Sequence, residues 1–154
     1  MKTWLVAAAI AAPVLLGAAL ISRASDAHHV WADVVYLMAG RVCHQRPDRS
    51  FVTSGVQWPV CGRCAGLYLA APFGAMAAIA VRRPRLPAFR WWLALAALPT
   101  AASWAIEWFG RVPVTNLERA LFALPLGGAL AYLLVRAAPG RPEDHAANGL
   151  DRRS

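Results

Sequence analysis

Residues 43–64, CHQRPDRSFVTSGVQWPVCGRC, contain all three cysteines of the chain, one of its four histidines and three of its arginines. The chain around this segment is unusually apolar. Of its 154 residues 58% are hydrophobic, and the mean hydropathy is +0.42. A soluble domain of this size does not need so much apolar surface. The segment is therefore a polar insertion between apolar runs that are candidate membrane helices.

Four apolar runs flank this segment, one before it and three after it. Each is close to the roughly 17 residues that a helix needs to cross a hydrocarbon core about 30 Å thick. We therefore predict an all-α fold, a four-helix transmembrane bundle with an extramembrane Cys/His loop between helices 1 and 2. The predicted spans are about residues 4–21, 65–81, 91–109 and 120–135 within a membrane domain of residues 1–136, with the loop at 22–64 and a disordered polar C-terminal tail at 137–154.

The first apolar run has a second interpretation. Lys2, the apolar stretch and the small residues of SRASDA after it also fit a secretory signal peptide. An uncleaved helix is favoured, because the apolar run is longer than the roughly 7 to 15 residues of a usual signal core.

The basic residues follow a pattern typical of membrane topology. Sixteen Lys and Arg against eight Asp and Glu give a formal charge of +8, but they lie in short clusters between apolar runs, which argues against nucleic-acid binding. Short basic loops stay in the cytoplasm. We therefore predict a multi-pass protein of the bacterial inner (cell) membrane, in contact with the lipid bilayer, with both termini cytoplasmic and the Cys/His loop facing outward. The clusters are Arg82, Arg83, Arg85 and Arg90, and Arg136, Arg141, Arg152 and Arg153.

Small residues line one face of the second span. Gly66, Ala70, Gly74 and Ala78 recur every four residues, a spacing that lets another helix approach closely. A seam within the chain is the favoured interpretation. A homodimer contact through Gly66, Ala70 and Gly74 is the alternative.

The segment before Cys43 has the periodicity of a helix with an apolar stripe. Pro47 then disfavours helix in the residue before it. We expect a helix, lying at the membrane interface or packed back on the bundle, that delivers Cys43 and His44 near its C-terminal end, followed by an ordered loop. The stripe consists of Val30, Trp31, Val34, Val35 and Met38.

The cysteines and one histidine have the spacing of a metal site. Cys43-His44 and Cys61-x-x-Cys64 are two close pairs of soft ligands separated by a loop. A Cys3His set of donors completes the tetrahedron of a structural zinc site, and Gly62 eases the bend that lets two thiolates bind one ion. We therefore predict that Cys43, His44, Cys61 and Cys64 bind zinc.

Two alternatives stay open for the same cysteines. Cys64 lies near a helix N-terminus, where the dipole and Arg63 favour a nucleophilic thiolate, so Cys61 and Cys64 could exchange disulfides with Cys43. The architecture is similar to that of quinone-coupled disulfide-generating membrane proteins, which use two cysteine pairs. The other alternative is one structural disulfide with a spare thiol.

A second group of polar residues lies near the ends of spans three and four. Glu107 precedes Arg111 at the spacing of a helical ion pair, and Thr115 with Glu118 has the pattern of a capping box. Arg119 falls in the first turn, where the helix dipole disfavours a cation, so it needs Glu107 or a bound anion as a partner. Arginines of the loop that are either solvated or in contact with an anionic headgroup are Arg46, Arg49 and Arg63.

Two blocks, VCHQRPDRSF at residues 42–51 and PVCGRCAGLYLA at residues 59–70, resemble the signature of a family of small predicted bacterial membrane proteins, the domain-of-unknown-function family 2085. That signature runs CHQ, a proline, RSF and a proline-led C-x-R-C, with Gly and Tyr opening a helix. The likeness covers roughly residues 30–135. The matching positions are Cys43, His44, Gln45, Pro47, Arg49, Ser50, Phe51, Pro59, Cys61, Arg63, Cys64, Gly66 and Tyr68, with a weaker third block at Pro99, Asn116 and Arg119.

The resemblance implies that the four donor residues form one site, and it adds Asn116 to Glu107 and Arg119 as a second polar site. Ser103 and Phe122-Ala123 stand where the family usually has Asp and Thr-Gly. The family has no established activity, so the resemblance implies no reaction.

The function predicted from these residues is that of an integral membrane protein whose zinc site orders the first loop, in a structural or regulatory role. The alternative is a membrane thiol–disulfide oxidoreductase that uses Cys61 and Cys64, the one enzyme class with support. A small transporter or lipid-binding protein is third. The sequence has no Ser-His-Asp arrangement, phosphate-binding Gly loop or paired membrane carboxylates, so hydrolase, nucleotide-binding and proton-pump functions lack support.

Overall fold

Five α-helices and one β-hairpin form the described part of the chain. A computed structural model of the protein describes residues 2–25, 29–81, 86–110 and 112–138. The fold is mainly helical, as predicted, but it is not all-α. In chain order the elements are α1 (Lys2–Ala24), α2 (Val30–Gly40), a 3₁₀ turn (Pro47–Arg49), β1 (Ser50–Thr53), β2 (Val56–Cys61), α3 (Gly62–Ala80), α4 (Leu86–Trp108) and α5 (Asn116–Ala137).

Three helices within the described residues, α1, α3 and α5, are long and apolar enough to cross a membrane. Only 17% of the most apolar stretch of α1 and 28% of those in α3 and α5 are buried. Large apolar side chains such as Val14, Phe73 and Leu134 are exposed instead. An exposed apolar surface of this extent marks contact with lipid or protein rather than water, and lipid chains solvate it well.

The third predicted span is helical as α4, but α4 is not among these three candidates. Its sequence contains four tryptophans, Pro99 and Glu107, residue types that occur at the ends of membrane helices or lower their hydropathy. Glu107 near its C-terminus forms ion pairs with Arg63 at the start of α3 and Arg119 at the start of α5. α4 therefore runs antiparallel to both helices. By length and composition, three of the four predicted spans are candidate membrane helices among the described residues.

α3 and α5 approach each other closely through the predicted stripe of small residues. A Cβ atom at Gly66 would collide with the carbonyl of Ala120, and one at Gly74 with the carbonyl of Gly128. Ala70, between them on the same face, is buried. The stripe packs against α5 within the chain, as the favoured interpretation predicts, and a homodimer through Gly66, Ala70 and Gly74 stays a prediction.

α1 packs along the other elements over much of its length. Leu5 contacts a cluster formed by α3 and α5, and Leu16 contacts the cluster around Cys43. Ala19 is fully buried with Ala32 of α2. This packing supports the interpretation of α1 as an integral helix of the bundle.

The predicted loop of residues 22–64 contains the end of α1, all of α2, the 3₁₀ turn and the hairpin. The two strands, which were predicted as a loop, pair antiparallel with Thr53 opposite Val56. Ser54 and Gly55 connect them with positive φ angles of 51° and 75°. This backbone conformation matches the twist of hairpin strands. Serine rarely adopts it, so the sequence signal for the turn is weak.

α2 forms where the periodicity predicted a helix, but its apolar stripe faces outward. Val34 and Met38 are exposed, whereas Ala32 and Tyr36 are buried. The guanidinium of Arg23, near the end of α1, lies over the Tyr36 ring at 3.8 Å from its centroid. Small residues let α2 approach α1 closely, and the outward stripe is suited to the apolar boundary of a bilayer.

Some sequence-based predictions lie outside the described residues. They concern the tail from residue 139 onward, the basic cluster at residues 82–85, and Arg111 as a partner of Glu107.

Candidate functional site

The three cysteines come from three different chain segments and meet at one end of the bundle. Cys43 follows the end of α2, where its backbone N–H donates to the carbonyl of Ala39 at 2.9 Å. Cys61 ends β2 and directly precedes α3, and Cys64 lies in the first turn of α3. Their three Sγ atoms all lie within 4.8 Å of one another, and all three thiols are free.

Hydrogen bonds among these groups favour a thiolate at Cys61. The Cys64 thiol donates to the Cys61 sulfur, and this bond outweighs the opposing effect of burial and lowers the pKa of Cys61 to about 5. The backbone N–H of Cys61 in turn donates to Cys43 Sγ at 3.2 Å. A thiolate is the form of cysteine that binds metal ions and attacks disulfides.

The cluster is set in an apolar surrounding. Cys43 is buried together with Ala39, Val60 and Ala65, and larger side chains of the hairpin and helices pack around them. Cys61 and Cys64 are half-buried. Such a site excludes most water but leaves the sulfur atoms within reach of a small reagent or ion.

His44 lies apart from the three cysteines. It is exposed, and the only group of potential metal ligands found in the described residues is Cys43, Cys61 and Cys64. α2 has ended at Gly40, and neighbouring side chains of the non-helical chain point apart, so the buried Cys43 and the exposed His44 face opposite ways. The structure thus brings together three of the four predicted donors.

Gln45 holds the cysteine-bearing segments in place, a role that the sequence reasoning missed. Its Nε2 donates to the carbonyls of Tyr36 in α2 and Pro59 in β2, both at 2.8 Å. The backbone carbonyl of Gln45 accepts from Gln57 Nε2 at 2.6 Å, and the φ angle of Gln45 is 46°. The sequence signal that could have indicated this role is the position of Gln45 in the Cys43-His44-Gln45 triplet of the family signature.

A second polar cluster forms around Glu107. Its Oε1 accepts from Arg63 Nη2 and from Arg119 Nε, both at 2.8 Å. Arg119 Nη1 also donates to Asn116 Oδ1 at 2.6 Å. The Asn116 amide in turn donates to the carbonyl of Ser50 at 2.9 Å. The structure therefore places Glu107, Asn116 and Arg119 in contact and links them to the hairpin.

The three loop arginines divide between this cluster and the surface. Arg49 Nη1 lies 3.8 Å from Glu107 Oε2, and Arg63 joins the cluster directly. Arg46 is exposed and instead pairs with Asp48 at 3.2 Å. The Arg49–Glu107 contact spans the chain from the 3₁₀ turn to the end of α4, and no local sequence signal marks it. We call Arg49, Arg63, Arg119 and Glu107 the arginine–glutamate cluster.

Arg63 connects the two polar sites. It lies between Cys61 and Cys64 in the chain, and its side chain reaches Glu107 and, at 3.4 Å, Ser103 Oγ in α4. The cysteine cluster can bind a soft metal ion or exchange disulfides, and the arginine–glutamate cluster anchors it to α4.

Comparisons with known proteins point to one family. A family model described as "Predicted membrane protein (DUF2085)" matches residues 43–133, a range that begins at Cys43 and includes both clusters. An uncharacterized protein of Methanothermobacter thermautotrophicus is 32% identical over 92 residues, which cover 60% of this chain and 83% of that protein. An uncharacterized protein of Methanocaldococcus jannaschii is 29% identical over 104 residues, which cover 66% of each chain. No solved structure matches the chain.

Proposed function

The chain belongs to the DUF2085 family of predicted membrane proteins, and we propose that its residues Cys43, Cys61 and Cys64 bind one zinc ion. The ion has a structural or regulatory role at the end of the bundle. The observation that carries this proposal is the meeting of three free thiols, from three chain segments, within 4.8 Å of one another. In a tetrahedral site with Zn–S distances of about 2.3 Å, the sulfur atoms lie about 3.8 Å apart.

The proposed ion adds bonds between segments that already pack together through Ala39, Val60 and Ala65. It ties the chain after α2 and the end of β2 to the first turn of α3. Because such a site is not preformed in the unfolded chain, the binding free energy contributes to folding of this region. With His44 outside the cluster, three protein donors leave a fourth coordination position for water or a small ligand, so a regulatory ligand has a place to bind.

Elemental analysis of the purified full-length protein in detergent tests this proposal. We expect about one zinc per chain in the wild type and a large loss of zinc in Cys43→Ser, Cys61→Ser and Cys64→Ser. His44→Ala is the matched control and should keep its zinc. Wild-type protein without zinc, or equal zinc content in the wild type and all three serine variants, would overturn the proposal.

A thiol–disulfide oxidoreductase is the second candidate, and a cavity favours it. A space of about 400 Å³ between α1, α3 and α5 is lined by Cys64, by Tyr68 and otherwise by apolar residues. Oxidation of two thiols to a disulfide releases two protons and two electrons, which a membrane quinone can accept to become a hydroquinone. Stoichiometric reduction of a quinone by the reduced, metal-free protein, with one disulfide formed, would favour this candidate over zinc binding.

We further infer that α4 crosses the bilayer as the fourth span. Exposed tryptophans lie at both of its ends, Trp91 and Trp92 at one and Trp104 and Trp108 at the other, as in the aromatic belts of membrane helices. The arginine clusters then support cytoplasmic termini and an outward-facing cysteine cluster.

A further inference from the structure

We propose that Arg49, Arg63 and Arg119 form a binding site for a phosphate-type oxyanion beside Glu107. The site lies at the same end of the bundle as the cysteines and does not depend on whether they bind zinc. Its ligand is either free phosphate or the phosphate of a lipid headgroup, which present the same tetrahedral oxygens.

The first argument is the charge balance of the arginine–glutamate cluster. Three guanidinium groups surround one carboxylate, and the side chains of Arg63, Arg119 and Glu107 are only 17%, 12% and 11% exposed. Removing unpaired charges from water is costly. Two positive charges are left without a counter-charge among the four residues.

Neighbouring carboxylates within the described residues do not correct this imbalance. Asp48 pairs with Arg46 at 3.2 Å as well as with Arg49 at 3.5 Å. The negative charge of Asp48 is therefore balanced by the positive charge of Arg46, which lies outside the cluster. Glu118 Oε2 accepts from the backbone N–H of Thr115 at 2.7 Å and from its hydroxyl at 2.8 Å, within the exposed capping box of α5. Glu118 therefore reduces the surplus of positive charge from a distance, and among the described residues the arginines of the cluster have only Glu107 and Asp48 as direct carboxylate partners.

The helix termini add to the positive potential. Arg63 lies in the first turn of α3 and Arg119 in the first turn of α5, where the partial charge of the helix N-terminus is positive. The first turn of α3 contains no acidic residue, and its N-cap residue, Cys61, makes no side-chain capping bond. A helix N-terminus of this kind attracts anions, whereas the N-terminus of α5 is already capped by Thr115 and Glu118.

Unused hydrogen-bonding atoms give an independent indication of a missing ligand. Across the described residues, four buried side-chain atoms lack a hydrogen bond, and three of them are Arg49 Nε, Arg63 Nε and Glu107 Oε2. Buried polar atoms in native proteins are nearly always bonded. Oxygen atoms of an oxyanion would satisfy Arg63 Nε and give Arg49 Nε a closer acceptor than Asp48 Oδ2, which lies 3.5 Å away. They would form the charge-assisted, forked contacts that guanidinium groups favour.

The position of the cluster permits both sources of phosphate. Arg49 is 37% exposed, which provides a route from solvent. The stacked pair Trp104–Trp108 on α4, adjoining Glu107, has the character of residues at a membrane interface. A headgroup from the outer leaflet can therefore reach the same arginines.

Thermal unfolding of the full-length protein in detergent tests the site with inorganic phosphate against chloride at equal ionic strength. We expect phosphate to raise Tm of the wild type and of Arg46→Gln, the matched control for an exposed arginine outside the cluster. The shift should be lost in Arg63→Gln and Arg119→Gln and should increase in Glu107→Gln, because one competing negative charge is removed. If a glutamine variant does not fold, the corresponding Arg→Lys variant should show a reduced shift.

The lipid source is tested in nanodiscs of phosphatidylcholine with and without phosphatidylglycerol. Stabilisation by phosphatidylglycerol that depends on Arg63 and Arg119 assigns the site to a headgroup, and stabilisation by phosphate alone assigns it to the free anion. A Tm that responds to neither, or that responds equally in the wild type, Arg63→Gln and Arg119→Gln, would overturn the proposal.

Discussion

Arg63 donates a hydrogen bond from Nη2 to Glu107 Oε1 at 2.8 Å, which joins the turn between Cys61 and Cys64 to the C-terminal end of α4. The residue that separates the two cysteines in the chain is thus held by a carboxylate on another helix. This contact makes the cysteine cluster part of the helix bundle rather than of a separate loop.

Removal of the Glu107 charge is expected to destabilise the protein. Glu107→Gln leaves three arginines around a neutral group, and loss of one partner of a buried ion pair costs about 3 to 5 kcal/mol. Unfolding by denaturant in detergent, without phosphate, measures this change. Glu118→Gln, in which glutamine can still form the exposed capping box of α5, is the comparison and should cost much less. Equal losses in the two variants would contradict the central position of Glu107.

A larger residue in the α3–α5 seam is expected to prevent close packing. Gly66→Leu and Gly74→Leu would drive side chains into the backbone carbonyls of Ala120 and Gly128, and such overpacking costs about 1 to 3 kcal/mol or more. Gly17→Leu in α1 is the matched control, because nothing lies within 4 Å of its Cβ position. Tm and the monodisperse fraction after size exclusion report the outcome; a control as damaged as the seam variants would contradict this packing.

Loss of the Gln45 side chain is expected to loosen the cysteine cluster. Gln45→Ala removes both hydrogen bonds from Nε2 to α2 and β2, and each lost bond costs about 0.5 to 1.5 kcal/mol. The zinc affinity should fall with the stability, since Cys43 loses its fixed position. Competition with a chelator measures the affinity, and an unchanged value would show that Gln45 does not position Cys43.

Reporter fusions are expected to place α4 across the bilayer. A reporter joined after Val81 should be cytoplasmic, and one joined after Gly110 should be outside, because α4 lies between the two positions. A reporter at the C-terminus should again be cytoplasmic. The same signal from the fusions after Val81 and Gly110 would show that α4 does not span the membrane.

Composition and residue spacing predicted which segments form apolar helices and which helix face packs against a neighbour. Apolar length indicated the membrane helices, and the small-residue stripe indicated the α3–α5 seam. The position of Arg119 against the helix dipole indicated that it needs Glu107 or a bound anion as a partner, and Glu107 Oε1 lies 2.8 Å from Arg119 Nε. Arguments of this kind succeed because they rest on local properties of one helix.

Features that depend on distant segments could not be predicted in the same way. The hairpin was missed because its Ser54-Gly55 turn has a weak local signal. His44 was grouped with Cys43 by adjacency, yet neighbouring side chains face apart once the helix has ended. Arg49 meets Glu107 only through the packing of the hairpin on the ends of α4 and α5.

Counting reactive thiols before and after removal of metal tests the central claim most directly. In the native, purified protein we expect Cys43, Cys61 and Cys64 to be masked from a thiol reagent, with about one zinc per chain. Addition of a strong chelator should release the zinc and expose three thiols without any reductant. A sample with no zinc, one thiol at the outset and three only after reduction would show a disulfide and contradict the account.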